Sequence, residues 1–482
     1  MRVPALNIIE RLRAHGHVAY LAGGCVRDRL LGLTPKDHDV ATDATPTQVQ
    51  RIFRRTQPVG ESFGVVLVYA PDRAAYPGAE PVGDGAGRAS DPSPPQPDAD
   101  GPPPEFVPVE VATFRTDGDY SDGRRPDAVS FSDPVHDAQR RDFTINGLFE
   151  SPGELGVDPP RTDDKKDLAS GPTNSADAVE HAAEAPAVTG SPVIRRLPDG
   201  STVIDHVGGL ADLETRTLRA IGEPARRFAE DYLRMLRAVR FAARLNFKIE
   251  PTTAAAISDH TARLTEIARE RLGDEVRRVL RGPHVGRAVS LLHGLGLAEP
   301  LLGRPAEPSW PAGLHDRLDA AADLPTRLAA WWLDLRPGVN PADTVQWRRR
   351  LALSNYEHAA LRRTLQIAAT LGEASAWDEL PVAGRKRLLA DPRGDQAMLL
   401  HRVARLAWPG EPAPDREPEA HALAHDGVGL APPPLLDGGA LIAAGLRPGP
   451  AFKTLLDQTY DQQLEGRLKT RQQALAWALE HA

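Results

Sequence analysis

Hydrophobic and polar residues near the N-terminus change their spacing in ways that predict a series of short elements. An apolar run leads into Gly23 and Gly24, and hydrophobic residues after the two glycines recur at helical spacing. A Gly-Leu-Thr-Pro turn follows, after which Asp37 and Asp39 occupy alternate positions, as they would on one face of a strand. We therefore predict a strand, a Gly-Gly turn, a short helix and a second strand within residues 19–42.

Two later segments have the hydrophobic pattern of strands. Residues 63–70 form an apolar run rich in β-branched side chains, and from Phe106 onward valines alternate with other residues, among them Glu110. Residues 71–105 between them contain ten prolines and five glycines without periodicity, which predicts a disordered insertion. Because extra loop length between paired strands costs little free energy, we expect the two strands to be neighbours.

Two segments before the middle of the chain lack the pattern of helices or strands. Residues 115–137 are expected to form a charged loop, and residues 151–199 a second flexible insertion that is rich in acidic side chains.

Helical spacing dominates the second half of the chain. Residues 228–247 are predicted to form one continuous amphipathic helix. From about Pro300 the chain is rich in Ala, Leu and Arg at helical spacing. The expected fold class is α+β: a head with a small mixed or antiparallel sheet, followed by an all-helical neck, body and tail.

Composition limits the class of protein and its location. The 482 residues are enough for about three domains. The net charge of −8 argues against a uniformly basic coat for nucleic acid, so contacts with RNA are expected from local patches. Cys25 is the sole cysteine, which excludes an internal disulfide and predicts no disulfide-linked partner. No run of 18 apolar residues is present, so we expect a cytoplasmic protein without membrane contacts.

The stretch from Gly23 to Asp39 combines features that suit a nucleoside triphosphate. Glycines without side chains let backbone N–H groups approach phosphate oxygens, and Arg27 in the following helix adds a fixed positive charge. Two carboxylates on one face, Asp37 and Asp39, suit divalent cations that bind carboxylate and phosphate oxygens together. A lone Gly-Gly or Asp-x-Asp is usually a turn or a solvated pair, whereas this ordered combination indicates a site.

The sequence GGCVRD, followed by LLG and KDHDVATDATP, resembles the first motif of the class II tRNA nucleotidyltransferases and bacterial poly(A) polymerases. These families belong to the DNA polymerase β-like nucleotidyltransferase superfamily. The resemblance implies catalysis with two Mg²⁺ ions held by Asp37 and Asp39. It also implies that Glu110, in a strand similar to the family's EVTTFR, completes the catalytic carboxylates.

Two further stretches match this family. Residues 140–146, RRDFTIN, resemble its second motif with Gly147 in place of the usual alanine, and the resemblance implies that Gly23, Gly24, Arg27 and Arg141 bind triphosphate or sugar. A surface cluster of ion pairs is the alternative interpretation. Residues 208–219 resemble the hinge between head and neck, where two glycines suit a segment that changes its backbone angles on closure.

The predicted helix 228–247 carries Asp231, Arg234, Arg237 and Arg240 at three-residue spacing, in a pattern that resembles the family's base-selecting motif EDxxR. ATP and CTP share an exocyclic amine beside an unprotonated ring nitrogen. A carboxylate accepts from that amine and a guanidinium donates to that nitrogen, so Asp231 and Arg234 would select these two bases. Arg237 and Arg240 would hold phosphates or orient Asp231. A solvated basic helix face is the alternative.

The resemblance implies a domain order and a reaction. Residues 1–150 would form the nucleotidyltransferase head, 200–300 the hinge and neck that select the base, and 301–482 an RNA-binding body and tail. The reaction would transfer nucleotides from CTP and ATP to the 3′ hydroxyl of tRNA, adding CCA or only its CC or A part. The alternatives are poly(A) addition to RNA 3′ ends and a non-catalytic RNA-binding protein.

Overall fold

The structure is a computed structural model and describes residues 2–59, 64–71, 106–118, 128–153, 191–303, 313–318, 320–335, 344–407 and 413–482. The expected insertion 71–105 lies outside these ranges except for its first residue, as does most of the expected insertion 151–199. The chain divides into two compact units. Unit 1 comprises residues 1–231 and 247–256, and unit 2 comprises residues 232–246 and 257–482.

Unit 1 contains the strands of the described chain and six of its helices. The helices are α1 (Arg2–Ala14), α2 (Gly24–Leu30), α3 (Pro46–Ile52), α4 (Pro134–Gln139), α5 (Gly209–Glu214) and α6 (Pro224–Glu230). The strands are β1 (Ala19–Ala22), β2 (Asp39–Thr42), β3 (Thr56–Pro58), β4 (Val65–Pro71), β5 (Phe106–Thr113), β6 (Arg115–Asp117), β7 (Val129–Phe131), β8 (Leu148–Ser151), β9 (Val193–Arg196), β10 (Thr202–Asp205), β11 (Thr217–Leu218) and β12 (Lys248–Ile249).

An eight-stranded mixed sheet is the centre of unit 1. Its strand order is β3-β4-β5-β2-β1-β8-β10-β9. Within this sheet β2 and β5 run parallel, and the other neighbouring strands run antiparallel. The α+β class is thus confirmed, and β4 pairs with β5 as expected for strands on either side of residues 71–105.

The two faces of the sheet bury different side chains. One face carries Tyr20, Phe114 and Phe149, whose ring centroids lie 5.8–6.2 Å apart. The opposite face packs against α1, which contacts β1, β2, β4 and β5. On that face Glu150 is 1% exposed and pairs with Arg2 of α1 and Arg29 of α2. A buried carboxylate therefore joins two helices to the sheet.

Local sequence signals account for several boundaries. Thr45 accepts a hydrogen bond from the backbone N–H of Gln48, and the Gln48 side chain accepts from the N–H of Thr45, which makes a capping box at the start of α3. Pro46 occupies the first turn, where its missing N–H costs nothing. The predicted helix after Thr45 is confirmed by these contacts.

Two loop predictions are wrong. Residues 115–137 contain a hairpin, β6 with β7, and the helix α4, which Asp133 caps by accepting from the N–H of His136. The predicted insertion 151–199 also extends too far, because β9 begins at Val193. All four residues of β9 are exposed, so this edge strand has no alternation of buried and exposed positions for a sequence pattern to reveal.

The predicted continuous helix 228–247 is divided. Helix α6 ends at Glu230, and Asp231 has extended backbone angles, φ −158° and ψ 103°. A new helix starts at Leu233. Aspartate favours helix ends because its short side chain competes for backbone hydrogen bonds, which is a physical reason for the interruption at this position.

Unit 2 is helical. After α7 (Leu233–Leu245) the chain forms α8 (Pro251–Asp259), which begins in unit 1, and then α9 (Arg269–Leu280), α10 (Val285–Gly294), α11 (Ala298–Leu302), α12 (Leu314–Arg317), α13 (Leu324–Leu335), α14 (Val345–Arg350), α15 (Asn355–Gly372), α16 (Ala374–Asp378), α17 (Val382–Leu389), α18 (Gly394–Ala407), α19 (Glu417–Ala424), α20 (Gly438–Ala443), α21 (Ala451–Leu464) and α22 (Arg471–Glu480). No helix in the described ranges is long and apolar enough to span a membrane.

Two hydrophobic clusters lie among the described residues of unit 2. Trp347 packs edge-on against Trp331 and Trp332, with ring centroids 5.6 and 4.8 Å away. A second cluster involves α20, α21 and α22.

Unit 2 also contains a buried positive charge. Lys386 of α17 is fully buried, and its ammonium donates to the carbonyl of Leu464 (2.8 Å) and pairs with Asp426 (2.6 Å).

Gly147 is a place where unit 1 has no room for a side chain. A Cβ added there would lie 2.6 Å from Cγ2 of Val207 and 3.4 Å from Cδ1 of Ile221. The glycine that replaces the alanine of the resembled motif is therefore matched by the bulk of Val207 in this chain.

We expect Gly147→Ala to lower the free energy of unfolding by about 1–3 kcal/mol, because an extra methyl group in a packed site forces its neighbours to move. Gly147→Ala combined with Val207→Ala should be more stable than Gly147→Ala alone, since Cγ2 of Val207 is removed. Urea denaturation of the two variants, of Val207→Ala and of the wild type checks both statements. Equal stability of the single and double Gly147 variants would show that Val207 does not fill this space.

Candidate active site

The Gly-Gly turn is shaped by packing as well as by backbone geometry. Gly23 has φ 73°, in the region that favours glycine, and a Cβ there would lie 2.8 Å from Nη1 of Arg141. Its N–H donates to the carbonyl of Leu148 at 2.9 Å, which connects β1 to β8. The N–H of Gly23 thus has a partner within the protein, and the contact of the Gly-Gly turn with phosphate stays a prediction.

Asp39 and Glu110 lie side by side on the aromatic face of the sheet. The register of the parallel pair matches Val40 with Val111, which places Asp39 and Glu110 one step earlier on adjacent strands. Asp39 also pairs with Ala22, a member of the core cluster on that face. Both residues are exposed, and β2 begins at Asp39. Asp37 therefore precedes the strand, so the expectation that both aspartates lie on it is wrong.

The carboxylate of Asp39 has an unusual environment. Loss of water contacts raises its pKa to about 6, although the residue remains at the surface, and Glu110 contributes further to the increase. Arg141 opposes the increase, and Asp37 is near enough to add to it. Glu110 and Asp37 therefore both act on Asp39, and Arg141 supplies the opposing charge.

Arg141 is held rigidly above the aromatic face. Its Nη2 donates to Asp137 at 2.9 Å, its Nη1 donates to the carbonyl of Asn146 at 3.2 Å, and its Cζ lies 5.2 Å from the ring centroid of Phe149. Asp137 is 1% exposed and also pairs with Arg140. Burial would raise the pKa of Asp137, but Arg141 and Arg140 more than compensate and lower it. Sequence reasoning did not single out Asp137, whose spacing of three and four residues from these arginines on a helical turn was the available signal.

Arg27 is buried beside the second motif. The residue is 2% exposed, and its guanidinium donates to Asp28 and Asn146. Asn146 in turn donates to Asp142 at 3.0 Å. Arg27 is thus connected to the second motif, and its contact with the triphosphate stays a prediction.

The predicted base-selecting residues are distributed over both units. Asp231 is the last residue of the first segment of unit 1, whereas Arg234, Arg237 and Arg240 lie on α7 in unit 2. Arg240 pairs with Glu275 of α9, which is 1% exposed, and its Cζ lies 4.4 Å from the ring centroid of Phe241. Its guanidinium therefore anchors α7 to α9 within unit 2.

Among the residues that the structure describes, no group of three or more His, Cys, Asp or Glu side chains could hold a metal ion by itself. The crowded acids nevertheless fit a divalent cation. A cation beside Asp39 and Asp37 would stabilise the ionised Asp39 carboxylate, whose pKa is raised by loss of water contacts and by Glu110, and phosphate oxygens of a bound nucleotide would supply further ligands.

Comparison with known families and proteins gives a consistent result. The family model of the Poly A polymerase head domain matches residues 19–75 and 103–171, and that of the probable RNA and SrmB-binding site of polymerase A matches residues 246–307. The chain is similar to two curated CCA-adding enzymes. One, from Limosilactobacillus fermentum, is 30% identical over 98% of this chain and 95% of its own length. The other, from Lacticaseibacillus paracasei, is 31% identical over 96% and 92%.

A solved structure is similar over almost the whole chain. The crystal structure of the Bacillus stearothermophilus CCA-adding enzyme in complex with CTP is 25% identical and covers 99% of this chain and 97% of its own, with a TM-score of 0.64. The similarity thus includes the sheet with the acidic cluster as well as the helical unit.

The raised pKa of Asp39 predicts a stability effect with a defined sign. The folded protein favours the protonated carboxyl, so ionisation of Asp39 destabilises the fold increasingly as the pH rises from about 4 through about 6. We expect Asp39→Asn in EDTA to be more stable than the wild type at pH 8, with a difference that disappears near pH 4. Thermal denaturation across this range measures the effect.

Asp137→Asn is the matched control, because the pKa of Asp137 is lowered and its charge balances Arg141 and Arg140. This variant should be less stable than the wild type at pH 8. A loss of stability in Asp39→Asn at pH 8 would contradict a raised pKa at Asp39.

Proposed function

The chain belongs to the family of CCA-adding enzymes, which are nucleotidyltransferases, and on that premise we propose that it adds CCA, or part of it, to the 3′ end of tRNA from CTP and ATP. The similarity extends over nearly the whole chain, which supports the tRNA reaction over poly(A) addition by a shared head domain. The observation that carries the chemistry is the adjacency of Asp39 and Glu110 on parallel strands, with Arg141 supplying an opposing charge at Asp39.

Enzymes of this kind depend on divalent metal ions, and we assign Mg²⁺ to Asp37 and Asp39 with Glu110 completing the acidic set. When bound, Mg²⁺ would activate the attacking 3′ hydroxyl and neutralise the leaving pyrophosphate. The protein contributes the fixed positions of these carboxylates. Asp39 and Glu110 are held by sheet hydrogen bonds, so their spacing does not have to be established when substrate arrives.

Arg141 is the positively charged group that we assign to the triphosphate. Its contacts with Asp137, the carbonyl of Asn146 and the Phe149 ring fix the guanidinium plane, while its charge acts on Asp39. A charge held in place in advance stabilises developing negative charge without reorganisation. Gly23 has no Cβ, and this leaves room for the Arg141 guanidinium.

Base selection is assigned to Asp231 and Arg234. A carboxylate that accepts from the exocyclic amine and a guanidinium that donates to the ring nitrogen match both cytosine and adenine. Uracil and guanine present a carbonyl and a ring N–H at these positions, so each would leave polar groups unpaired at a cost of about 1–3 kcal/mol per group. The extended backbone of Asp231 takes its side chain out of the helical repeat that a continuous helix would impose.

The first test uses tRNA transcripts that end before CCA, after C and after CC, with CTP and ATP supplied separately. We expect C addition to the first two, a single A on the third, and a defined stop. Asp39→Ala should lower the rate about a hundredfold or more, because a positioned charge is lost. Asp395→Ala, an exposed acid of α18, should retain the wild-type rate. A long A ladder on unrelated RNA would instead establish poly(A) synthesis.

The second test concerns the choice of base. Asp231→Ala should reduce the preference for CTP over UTP at least about tenfold, because the acceptor for the exocyclic amine is removed. Glu230→Ala is the control, since the neighbouring Glu230 carboxylate pairs with Arg227 at 2.9 Å. Competition between labelled CTP and UTP measures the preference. Equal discrimination in both variants would exclude Asp231 from base selection.

A further inference from the structure

A tyrosine lies between the two residues to which base selection is assigned. The pattern EDxxR leaves two positions open between Asp231 and Arg234, and Tyr232 occupies the first of them. Tyr232 is the first residue of unit 2 and is only 8% exposed. A tyrosine that is this deeply buried usually needs a hydrogen-bond partner for its hydroxyl group. The contacts of Tyr232 therefore bear on the residues beside it.

Arg263 is the hydrogen-bond partner of this hydroxyl group. Its Nε donates to Oη of Tyr232 at 3.0 Å, and its Cζ lies 5.2 Å from the centroid of the Tyr232 ring. The ring of His260 is inclined by 24° to the Tyr232 ring, with the two centroids 6.2 Å apart. The ring and the hydroxyl group are thus both held by one short segment, residues 260–263. Rotation of the Tyr232 side chain would lose both contacts.

The segment that carries Arg263 is itself packed into unit 2. Thr261–Glu266 forms a 3₁₀ helix that contacts α11, and Leu264, the residue after Arg263, is 1% exposed. The Arg263 guanidinium is half-exposed and pairs with Glu266 at 2.8 Å. Its backbone is therefore fixed by a buried neighbour, while its side chain reaches Tyr232 from the surface.

Helix α7 begins at this anchored residue. Tyr232 has helical backbone angles, φ −62° and ψ −17°, but its side chain makes no capping hydrogen bond. Its carbonyl accepts from the N–H of Met235 at 3.1 Å, which closes the first turn. The first N–H groups of a helix have no partners within it, and helix ends without caps tend to fray. The contacts of the Tyr232 side chain oppose such fraying and fix where α7 begins.

Arg234 lies in this first turn, two residues after Tyr232. A guanidinium distinguishes one ring nitrogen from another group only if its N–H bonds point at it, because hydrogen bonds weaken steeply when they are misaligned. The backbone of Arg234 moves with the first turn of α7. A loosened first turn would therefore change the direction of the Arg234 donors, and displacements of about 1 Å are enough to reduce catalysis strongly.

We propose that Tyr232 and Arg263 are positioning residues for base selection, which hold the first turn of α7 so that Arg234 meets the ring nitrogen of cytosine or adenine. The inference rests on the proposed function and deepens it. It adds two residues that act through Arg234 to the two that are assigned to the base itself.

Tyr232→Phe tests this role with the smallest change, because it keeps the ring and removes only the hydroxyl group that accepts from Arg263. We expect the preference for CTP over UTP to fall about threefold to tenfold, the range that corresponds to one hydrogen bond. Tyr460→Phe is the matched control, since the Tyr460 hydroxyl donates to the carbonyl of Pro432 at 2.9 Å, also within unit 2. It should keep the wild-type preference.

The measurement is the ratio of kcat/KM for CTP and UTP, with the full chain and a tRNA transcript that ends before CCA. Arg263→Ala should lower this ratio as much as Tyr232→Phe, and the double variant no further, because both changes remove the same contact. Glu266→Gln removes the carboxylate that pairs with Arg263 and should leave the ratio unchanged. A merely structural role of Tyr232 would lower the melting temperature and the rates with both nucleotides at an unchanged ratio, and this result overturns the proposal.

Asp231→Ala in the same assay separates this inference from the proposed function. If Asp231→Ala loses the preference for CTP and Tyr232→Phe retains it, the positioning role is wrong and base selection by Asp231 stands. If the wild type adds no nucleotide to the transcript, or adds C and U equally well, the proposed function fails, and a role of Tyr232 in base selection fails with it.

Discussion

The parallel pairing of β2 with β5 is the constraint on which the proposed site depends. Parallel strands cannot be joined by a tight turn, so the chain between them passes through α3, β3 and β4 before it returns. This detour places Asp39 and Glu110 on adjacent strands although 71 positions separate them in the sequence. The backbone hydrogen bonds of the sheet, made by apolar residues on either side, keep the two acids together against their mutual repulsion.

Arginine side chains near the acidic cluster compensate its negative charge, and further acids pair with these arginines. Arg141 acts on Asp39, Arg141 and Arg140 both pair with the buried Asp137, and Arg27 pairs with Asp28. In this series, Asp137, Arg27 and Asp28 are buried, and each has a partner of opposite charge. Asp39 and Glu110 are exposed, and a cation bound there would stabilise their negative charge. Without a cation, the ionised form of Asp39 is unfavourable, and a bound cation would remove this cost.

Much of unit 1 could be predicted because its elements follow local rules. Thr45 and Pro46 gave the start of α3, and the alternation around Glu110 gave its exposed face on β5. The position of Arg27 could not be predicted, because burial by partners 119 residues away leaves no trace in the spacing of α2. Asp231 was misplaced for the opposite reason. The hydrophobic period continues across residues 228–247, so it gave no sign that the backbone leaves the helix there.

The ammonium of Lys386 has a consequence for the end of the chain. It lies at full burial between the carbonyl of Leu464 and the carboxylate of Asp426, where α17 meets α21. If α21 rotated away from α17, the Lys386 ammonium would remain buried without the Leu464 carbonyl, which is unfavourable. The Lys386 contacts therefore oppose rotation of α21 against α17. A large molecule bound to these helices would meet a surface of nearly constant dimensions.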